Sequence, residues 1–463
     1  MKFVNREREL GVLEKALSSS RSELVLVYGR RRIGKTFLLK YFQKIHGGIY
    51  LVVNYSDREL LLRDLSRQLS TEYGFKVGVF ESFRDLYSFI VRIADKNSSR
   101  KPIIIFDEAQ RLAGSGGLSE LQYLWDTSLC EQNILFILSG SGVGIITRSL
   151  LSYESPLYGR ITKVLHLDQF KYREARVFME KWSPLDKVRG YSVFGGTPAY
   201  LSMINDERDL SENIYDQILD PSSILHYDPL YMLSIETREP QRYLAILSAI
   251  SHGKNRIGEI ASYLGLPVNI ISKYLYVLEN ALGIIKKVYP LGFEGKKRYG
   301  QYIIIDYYYR FWLNTIYPKL GVPDLHTREY LNKILKDVDK FASQVWEDIA
   351  KEHLQLLKRE KKIHYTRIGK WWHKDVEIDL VALDDENKTA YFIECKFSKK
   401  PVGRKYLEKL REKSSKTPWK KWGKKYIVYT IIEPSMNLSS VEIYTLEDVE
   451  RDFNKYKPAI NEF

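Results

Sequence analysis

The sequence predicts an α/β protein: a parallel sheet covered by helices on both faces, then a helical stretch, then a second, smaller α/β domain. Three observations lead there. Residues 23–53 read as strand, glycine-rich turn, helix and strand (ELVLVYG, RRRIGKT, FLLKYFQKI, GIYLVVN). Later strands at 102–107, 134–139 and 162–167 are apolar runs rather than alternations, as strands buried on both faces of a parallel sheet require. From about residue 340 the order becomes helix, three strands, basic helix and strand.

The chain has 463 residues, 44% of them hydrophobic and 13% aromatic, enough to bury more than one core. Its two cysteines, Cys130 and Cys395, form no CxxC pair, so neither a disulfide nor a zinc site is expected, and a reducing cytoplasm fits. No run reaches the roughly 18 apolar residues of a membrane span. A net charge of +14 points to a polyanionic partner, nucleic acid first, although a heat-adapted surface rich in Lys and Glu would carry the same sign.

Taken in order, the first sheet is expected over 1–170, with amphipathic helices near 58–71 and 82–96. Residues 171–236 read as a helical lid. Within 237–320, three helices (QRYLAILSAIS, RIGEIASYLG, NIISKYLYVLENAL) lead to two β-like segments around Gly292 and Gly295, the succession of a winged helix-turn-helix. Its third helix would offer Asn269, Ser272 and Lys273 to a groove, and its wing Lys286, Lys287, Lys296, Lys297 and Arg298 to phosphates. A protein-packing module would look the same. Residues 321–340 read as a linker and 341–463 as the last domain.

Gly29, Gly34, Lys35 and Thr36 form GxxxxGKT between an apolar strand and a helix. In that context the backbone N–H groups of residues 29–37 (Gly29, Arg30, Arg31, Arg32, Ile33, Gly34, Lys35, Thr36, Phe37) converge on phosphate oxygens, with the helix dipole behind them. Lys35 is expected at the β- and γ-phosphates and Thr36 on magnesium. The run PIIIFDEAQ carries Asp107 and Glu108 to the C-terminal end of a buried strand, the edge where ligands bind in such sheets. Asp107 is expected to support the magnesium and Glu108 to polarise the attacking water. ATP and Mg2+ are therefore the expected cofactors.

With these residues in place, the chain resembles the archaeal ATPases of the AAA+/STAND-related group that carry a C-terminal nuclease-like domain. FVNRERELGVLE, YGRRRIGKT, IIIFDEAQ, ILSGSGVG, SPLYGR and GGTPAYL match successive motifs of that group. The resemblance implies an adenine-side box at Asn5 and Arg6, and a γ-phosphate sensor at Ser139 or Ser141. It also implies a catalytic arginine at Arg160, in cis or from a neighbouring subunit, and a lid turn at Gly195, Gly196 and Pro198.

In the last domain, VEIDLVAL alternates, so Glu377 and Asp379 share a face, as do Glu394 and Lys396 in TAYFIECKFS. Paired as a hairpin, the two strands would gather acids and a lysine, the set that magnesium-dependent phosphodiester cleavage needs. The arrangement resembles the PD-(D/E)xK (restriction-endonuclease-like) nuclease fold, with Asp379, Glu394 and Lys396 on its motif positions and Glu347 as the upstream acid. Ile378 replaces the usual proline. Residues 396–425 carry 13 Lys/Arg against 2 Asp/Glu, with Lys405, Lys409 and Lys413 at helical spacing, a track for a phosphate backbone. A salt-bridged hairpin without metal would show the same residues. Two functions therefore stand side by side. One is an ATP-gated enzyme acting on DNA. The other is a STAND-like switch or scaffold that self-associates or binds a protein partner without cleavage.

Overall fold

The computed structural model describes residues 2–4, 6–96, 101–321, 325–434, 441–458 and 460–462. Its contacts divide the chain into two units. The first comprises residues 1–169 with 280–283 and 459–463, and the second residues 170–279 and 284–458.

In the first unit, strand β1 (Lys2–Val4) pairs antiparallel with Ile460–Glu462 near the C-terminus. Five strands form the main sheet: β2 (Glu23–Gly29), β3 (Ile49–Val52), β4 (Ile103–Asp107), β5 (Leu135–Ser141) and β6 (Lys163–Leu167). They run parallel in the order β3-β4-β5-β2-β6. Alternate residues feed opposite faces, which is why these strands read as unbroken apolar runs. Val25, Val27, Ile103, Ile105, Leu135 and Ile137 pack one core with Leu38, Leu39 and Phe42 of helix Lys35–His46. Leu24, Leu26, Ile104, Phe106, Phe136 and Leu138 pack the other with helices Arg58–Tyr73 and Phe83–Lys96. The first of those two helices is capped at its N-terminus by Asp57, whose side chain accepts from the Leu60 N–H, and stopped by Gly74 in the left-handed region. Asn5 lies outside the described residues.

The second unit opens with helices alone. Three of them, Pro240–Ser251, Ile257–Leu264 and Val268–Tyr276, precede an antiparallel pair, β7 (Ile285–Val288) and β8 (Gln301–Ile304). The aromatic helix Tyr307–Thr315 is almost wholly buried. Helix Arg328–Arg359 then runs for 32 residues. Most of the expected linker is thus helical, with Leu331, Ile334 and Val338 buried along one stripe. The last sheet contains β9 (Arg367–His373), β10 (Val376–Asp384), β11 (Thr389–Lys396), β12 (Gly423–Thr430) and β13 (Glu442–Thr445), in the order β13-β12-β11-β10-β9. Strands β9, β10 and β11 are antiparallel neighbours, whereas β11, β12 and β13 are parallel. Trp371 is core, packed with Ile378, Phe392 and Trp419, while its neighbour Trp372 is half-buried.

A buried ion pair ties the start of this unit to its end. Arg176 donates to Glu450 at 2.7 Å and to Asn454 at 2.9 Å, and the Tyr172 hydroxyl donates to Glu450 at 2.5 Å. Removing one charge from such a pair leaves the other uncompensated, at a cost of about 3–5 kcal/mol. Glu450→Gln should therefore lower unfolding stability by about 3 kcal/mol in urea titrations. A loss below about 1 kcal/mol would show the pair to be dispensable.

Candidate functional site

The C-terminal edge of the first sheet gathers the residues singled out at the P-loop. Strand β2 ends at Gly29, which lies so close to the backbone of β6 that a Cβ there would meet the Leu167 oxygen at 2.5 Å. The turn 30–34 follows, with Arg32 at φ 63° and Gly34 at φ 89°. Gly34 has open space on the side where a Cβ would sit. Lys35 opens the helix and curls back, its Nζ donating to the carbonyls of Gly29 at 3.0 Å and Arg30 at 2.8 Å. Ile33 is buried, and Phe37 leans on the core of the same sheet face. Arg6 holds the far side of the turn, donating to the carbonyls of Ile33 at 3.0 Å and Asp168 at 2.8 Å.

Asp107, at the end of β4, is the junction. Its Oδ2 accepts from the Thr36 hydroxyl at 2.7 Å and the Tyr50 hydroxyl at 2.6 Å. Its Oδ1 accepts from the Ser139 hydroxyl at 2.7 Å and the Glu108 N–H at 3.0 Å. Four donors fill the four acceptor sites of a carboxylate. Because the Thr36 proton points at Asp107, the Thr36 oxygen keeps its lone pairs for a cation. Burial, and then the Asp107 charge, raise the Tyr50 phenol far above its ordinary range, so it remains a donor. This donor set fits magnesium–triphosphate: a loop of backbone N–H groups, a lysine, a hydroxyl and a strand-end carboxylate.

Glu108 follows in the left-handed region at φ 57°. Its carboxylate accepts from the Ser141 hydroxyl at 2.6 Å and the Gln110 amide at 2.6 Å. Of the two sensor candidates, Ser139 therefore serves Asp107 and Ser141 serves Glu108. Arg160 is held by Asp126 as a bidentate pair at 2.7 and 2.6 Å and by the carbonyls of Pro156 and Tyr158. Pro198 belongs to the second unit, where it opens helix Pro198–Leu201. The glycines before it pack tightly: Phe170 donates its N–H to the Gly196 carbonyl at 2.7 Å, and a Cβ on Gly196 would overlap the Phe170 oxygen.

In the second unit, β10 and β11 pair with Leu380 opposite Ile393, and continuing that register sets Asp379 opposite Glu394. A bulge against β9 between Ile378 and Val381 takes in Asp379 and Leu380. Asp379 accepts from the Cys395 N–H at 2.8 Å. Glu394 is buried and takes Lys413 Nζ at 2.6 Å, while Glu347 is paired with Lys370. Lys396, the cation expected at this cluster, is exposed at the end of β11, two residues past Glu394. The basic helix Arg404–Ser415 packs beside β10 and β11 and delivers a second cation, Lys413, to Glu394. Among the described residues, no three His, Cys, Asp or Glu side chains are gathered as metal ligands. Burial first, then the Asp379 charge, raises the Glu394 carboxyl, and burial raises Asp379 as well.

Sequence reasoning missed Tyr50, Gln110 and Lys370, and set Lys413 on a phosphate track rather than on Glu394. Gln110 stood within the matched motif; Tyr50, Lys370 and the pairing of Lys413 become visible only once strand neighbours and helix placement are known.

Residues 3–204 match a family described as ATPase domain predominantly from Archaea, and residues 312–414 match one described as Archaea bacterial proteins of unknown function. An uncharacterized protein of Methanocaldococcus jannaschii is 32% identical over 403 residues, 85% of this chain and 87% of that protein. The chain belongs to this archaeal ATPase family. A second relative, an uncharacterized ATP-binding protein of the same organism, is 50% identical over 40 residues, 9% of this chain and 68% of that one. Among solved structures, Aeropyrum pernix ORC2 with ADPNP and ADP is 16% identical, with a TM-score of 0.40 over 72% of this chain and 90% of that one. A single-substitution variant of Thermotoga maritima RuvB is 17% identical, with a TM-score of 0.35 over 62% and 90%. The archaeal ATPase described here has, among its described residues, no helix long and apolar enough to cross a membrane.

Two outcomes follow from the site. Tyr50→Phe removes one donor from Asp107 and should raise the magnesium concentration for half-maximal ATP hydrolysis roughly tenfold, as losses behind a metal ligand do. An unchanged magnesium titration would show the phenol to be a bystander. Burial also pushes Glu347 up to about 7 from an ordinary 4.5, so the folded chain keeps a proton that the unfolded chain releases. Stability should fall as pH rises across that window, and Glu347→Gln should remove about 2 kcal/mol of the fall, measured by denaturation at the two ends.

Proposed function

We propose that this ATPase binds and hydrolyses magnesium–ATP at residues 29–37 and acts on DNA, with nucleotide state gating its C-terminal region. The observation that carries the first part is the 2.7 Å bond from Thr36 to Asp107, which joins the glycine-rich turn to the strand-end acid. When bound, magnesium neutralises charge on the β- and γ-phosphates. Backbone N–H groups of the turn hold the phosphates, and Lys35 exchanges its two carbonyl partners for phosphate oxygens. Thr36 would supply the magnesium ion a ligand oxygen, with Asp107 behind it. A Glu108 carboxylate oxygen takes up the proton of the attacking water. Arg6, which donates to the carbonyls of Ile33 and Asp168, is the adenine-side residue that the family resemblance implies. Arg160 acts on the γ-phosphate only after leaving Asp126, which a neighbouring subunit's approach could drive.

For the second part, the three helices and antiparallel pair at 240–304 support a winged helix-turn-helix. The mixed sheet with Asp379 opposite Glu394 supports a PD-(D/E)xK-like nuclease domain, in which these two acids would hold magnesium. The exposed Lys405 and Lys409 of the basic helix support a phosphate-backbone track. A specific observation favours a second reading, that of a STAND-like switch whose C-terminal domain binds without cutting. Lysines already neutralise Glu347 and Glu394, and Lys273 is the one cation in the third helix, Val268–Tyr276.

The test uses the full chain with magnesium and ATP on single-stranded, duplex and branched DNA. Lys35→Ala should reduce phosphate release at least about 100-fold, the scale of losing a charge-stabilising donor. Asp379→Ala should keep ATP hydrolysis within about twofold and abolish DNA cleavage. Wild-type protein that turns over ATP yet cuts no DNA in any nucleotide state would sink the nuclease reading in favour of the switch.

A further inference from the structure

Glu108, the acid assigned above to the attacking water, has both carboxylate oxygens engaged by neutral donors on either side. Ser141, the last residue of β5, donates to Oε1 at 2.6 Å. Gln110, two residues beyond Glu108 in the short helical turn Ala109–Arg111, donates from its amide to Oε2 at 2.6 Å. Glu108 itself has left-handed backbone, at φ 57°. The other end of the Gln110 amide is enclosed. Its Oε1 is buried without a hydrogen-bond partner and lies against Gly140, where a Cβ would meet it at 2.4 Å. A side chain at position 140 would compete for that space with the amide oxygen and with Ile146, whose Cδ1 a Cβ would meet at 2.2 Å. A buried amide oxygen left unpaired costs about 1–3 kcal/mol, a cost the fold bears while keeping the donor end on Glu108.

The two donors differ in kind. The Ser141 hydroxyl rotates freely about one bond and can redirect its proton to a phosphate oxygen. The Gln110 amide is planar, and turning its N–H away from Glu108 would have to move its buried oxygen out of the space beside Gly140.

We infer that Gln110 is a positioning residue for ATP hydrolysis: it fixes the Glu108 carboxylate through Oε2 so that Oε1, once Ser141 turns away, faces the attacking water. The inference rests on the reading of Glu108 as the group that takes up the water proton.

The test is steady-state hydrolysis by the full chain across about pH 6–9, alongside binding of a fluorescent ATP analogue. Gln110→Ala should lower kcat about 10–100-fold, part of the roughly 10²–10⁴ a positioned base supplies, with KM and analogue affinity within about twofold. Gln110→Glu is nearly isosteric and should fold where the alanine variant fails to. It can donate to Glu108 only when protonated, so its kcat should rise relative to wild type as pH falls. A residue that merely supports the fold would lower kcat by the same factor at every pH. A kcat for Gln110→Ala within about twofold of wild type overturns the inference, as does a Gln110→Glu profile parallel to wild type. Glu108→Gln separates the two levels. If it keeps full turnover, the assignment of Glu108 itself fails and the inference goes with it. If it loses turnover while Gln110→Ala does not, only the role of Gln110 is lost.

Discussion

The Asp107 carboxylate is the constraint on which the nucleotide site depends. It is only 3% exposed, and a charge so far from water costs several kcal/mol unless its acceptor sites are filled. The fillers come from four places: the helix after β2, strand β3, strand β5 and the next backbone amide. Strand β5 lies between β2 and β4, so Thr36 reaches Asp107 over the end of an intervening strand. A slip of one residue in any of these strands would carry a donor to the wrong face and leave the carboxylate short. Burying this one anion therefore enforces the register of the sheet edge, and the same hydrogen bonds orient the Thr36 oxygen for a cation.

That edge was legible in the sequence because its logic is local. An apolar run, a glycine turn and GKT are contiguous, and a second apolar run ending in Asp-Glu needs only the rule that ligands meet the carboxyl ends of parallel strands. Tyr50 was not legible. It sits two residues before the end of β3, within an ordinary apolar stretch, and only the order β3-β4 makes it a neighbour of Asp107. Lys413 escaped for the opposite reason. It was visible as one of several helical lysines, but nothing in the spacing singles out which of them turns inward to an acid 19 residues earlier. The stretch 328–340 misled through its charge: its apolar residues Leu331, Ile334 and Val338 do keep helical spacing, but Lys, Asp and Asn between them have the composition of a connector.

The two candidate sites differ in their electrostatic state, and that difference orders the functional readings. At the first, the anion Asp107 is met by hydroxyls and an amide, all neutral, so its charge remains available to a metal. At the second, Glu394 is met by the Lys413 ammonium and Glu347 by that of Lys370, so much of the negative charge that would attract a divalent ion is already cancelled. A cation entering between Asp379 and Glu394 must first displace a partly buried ammonium, and its affinity is lowered by whatever that pair is worth. Displacement would have its own consequence, since it would release a lysine beside the acids, where a phosphodiester would lie. The choice between a nuclease and a binding module thus reduces to one exchange, a divalent ion for an ammonium at Glu394. Lys396 lies exposed two residues beyond Glu394 on the same strand.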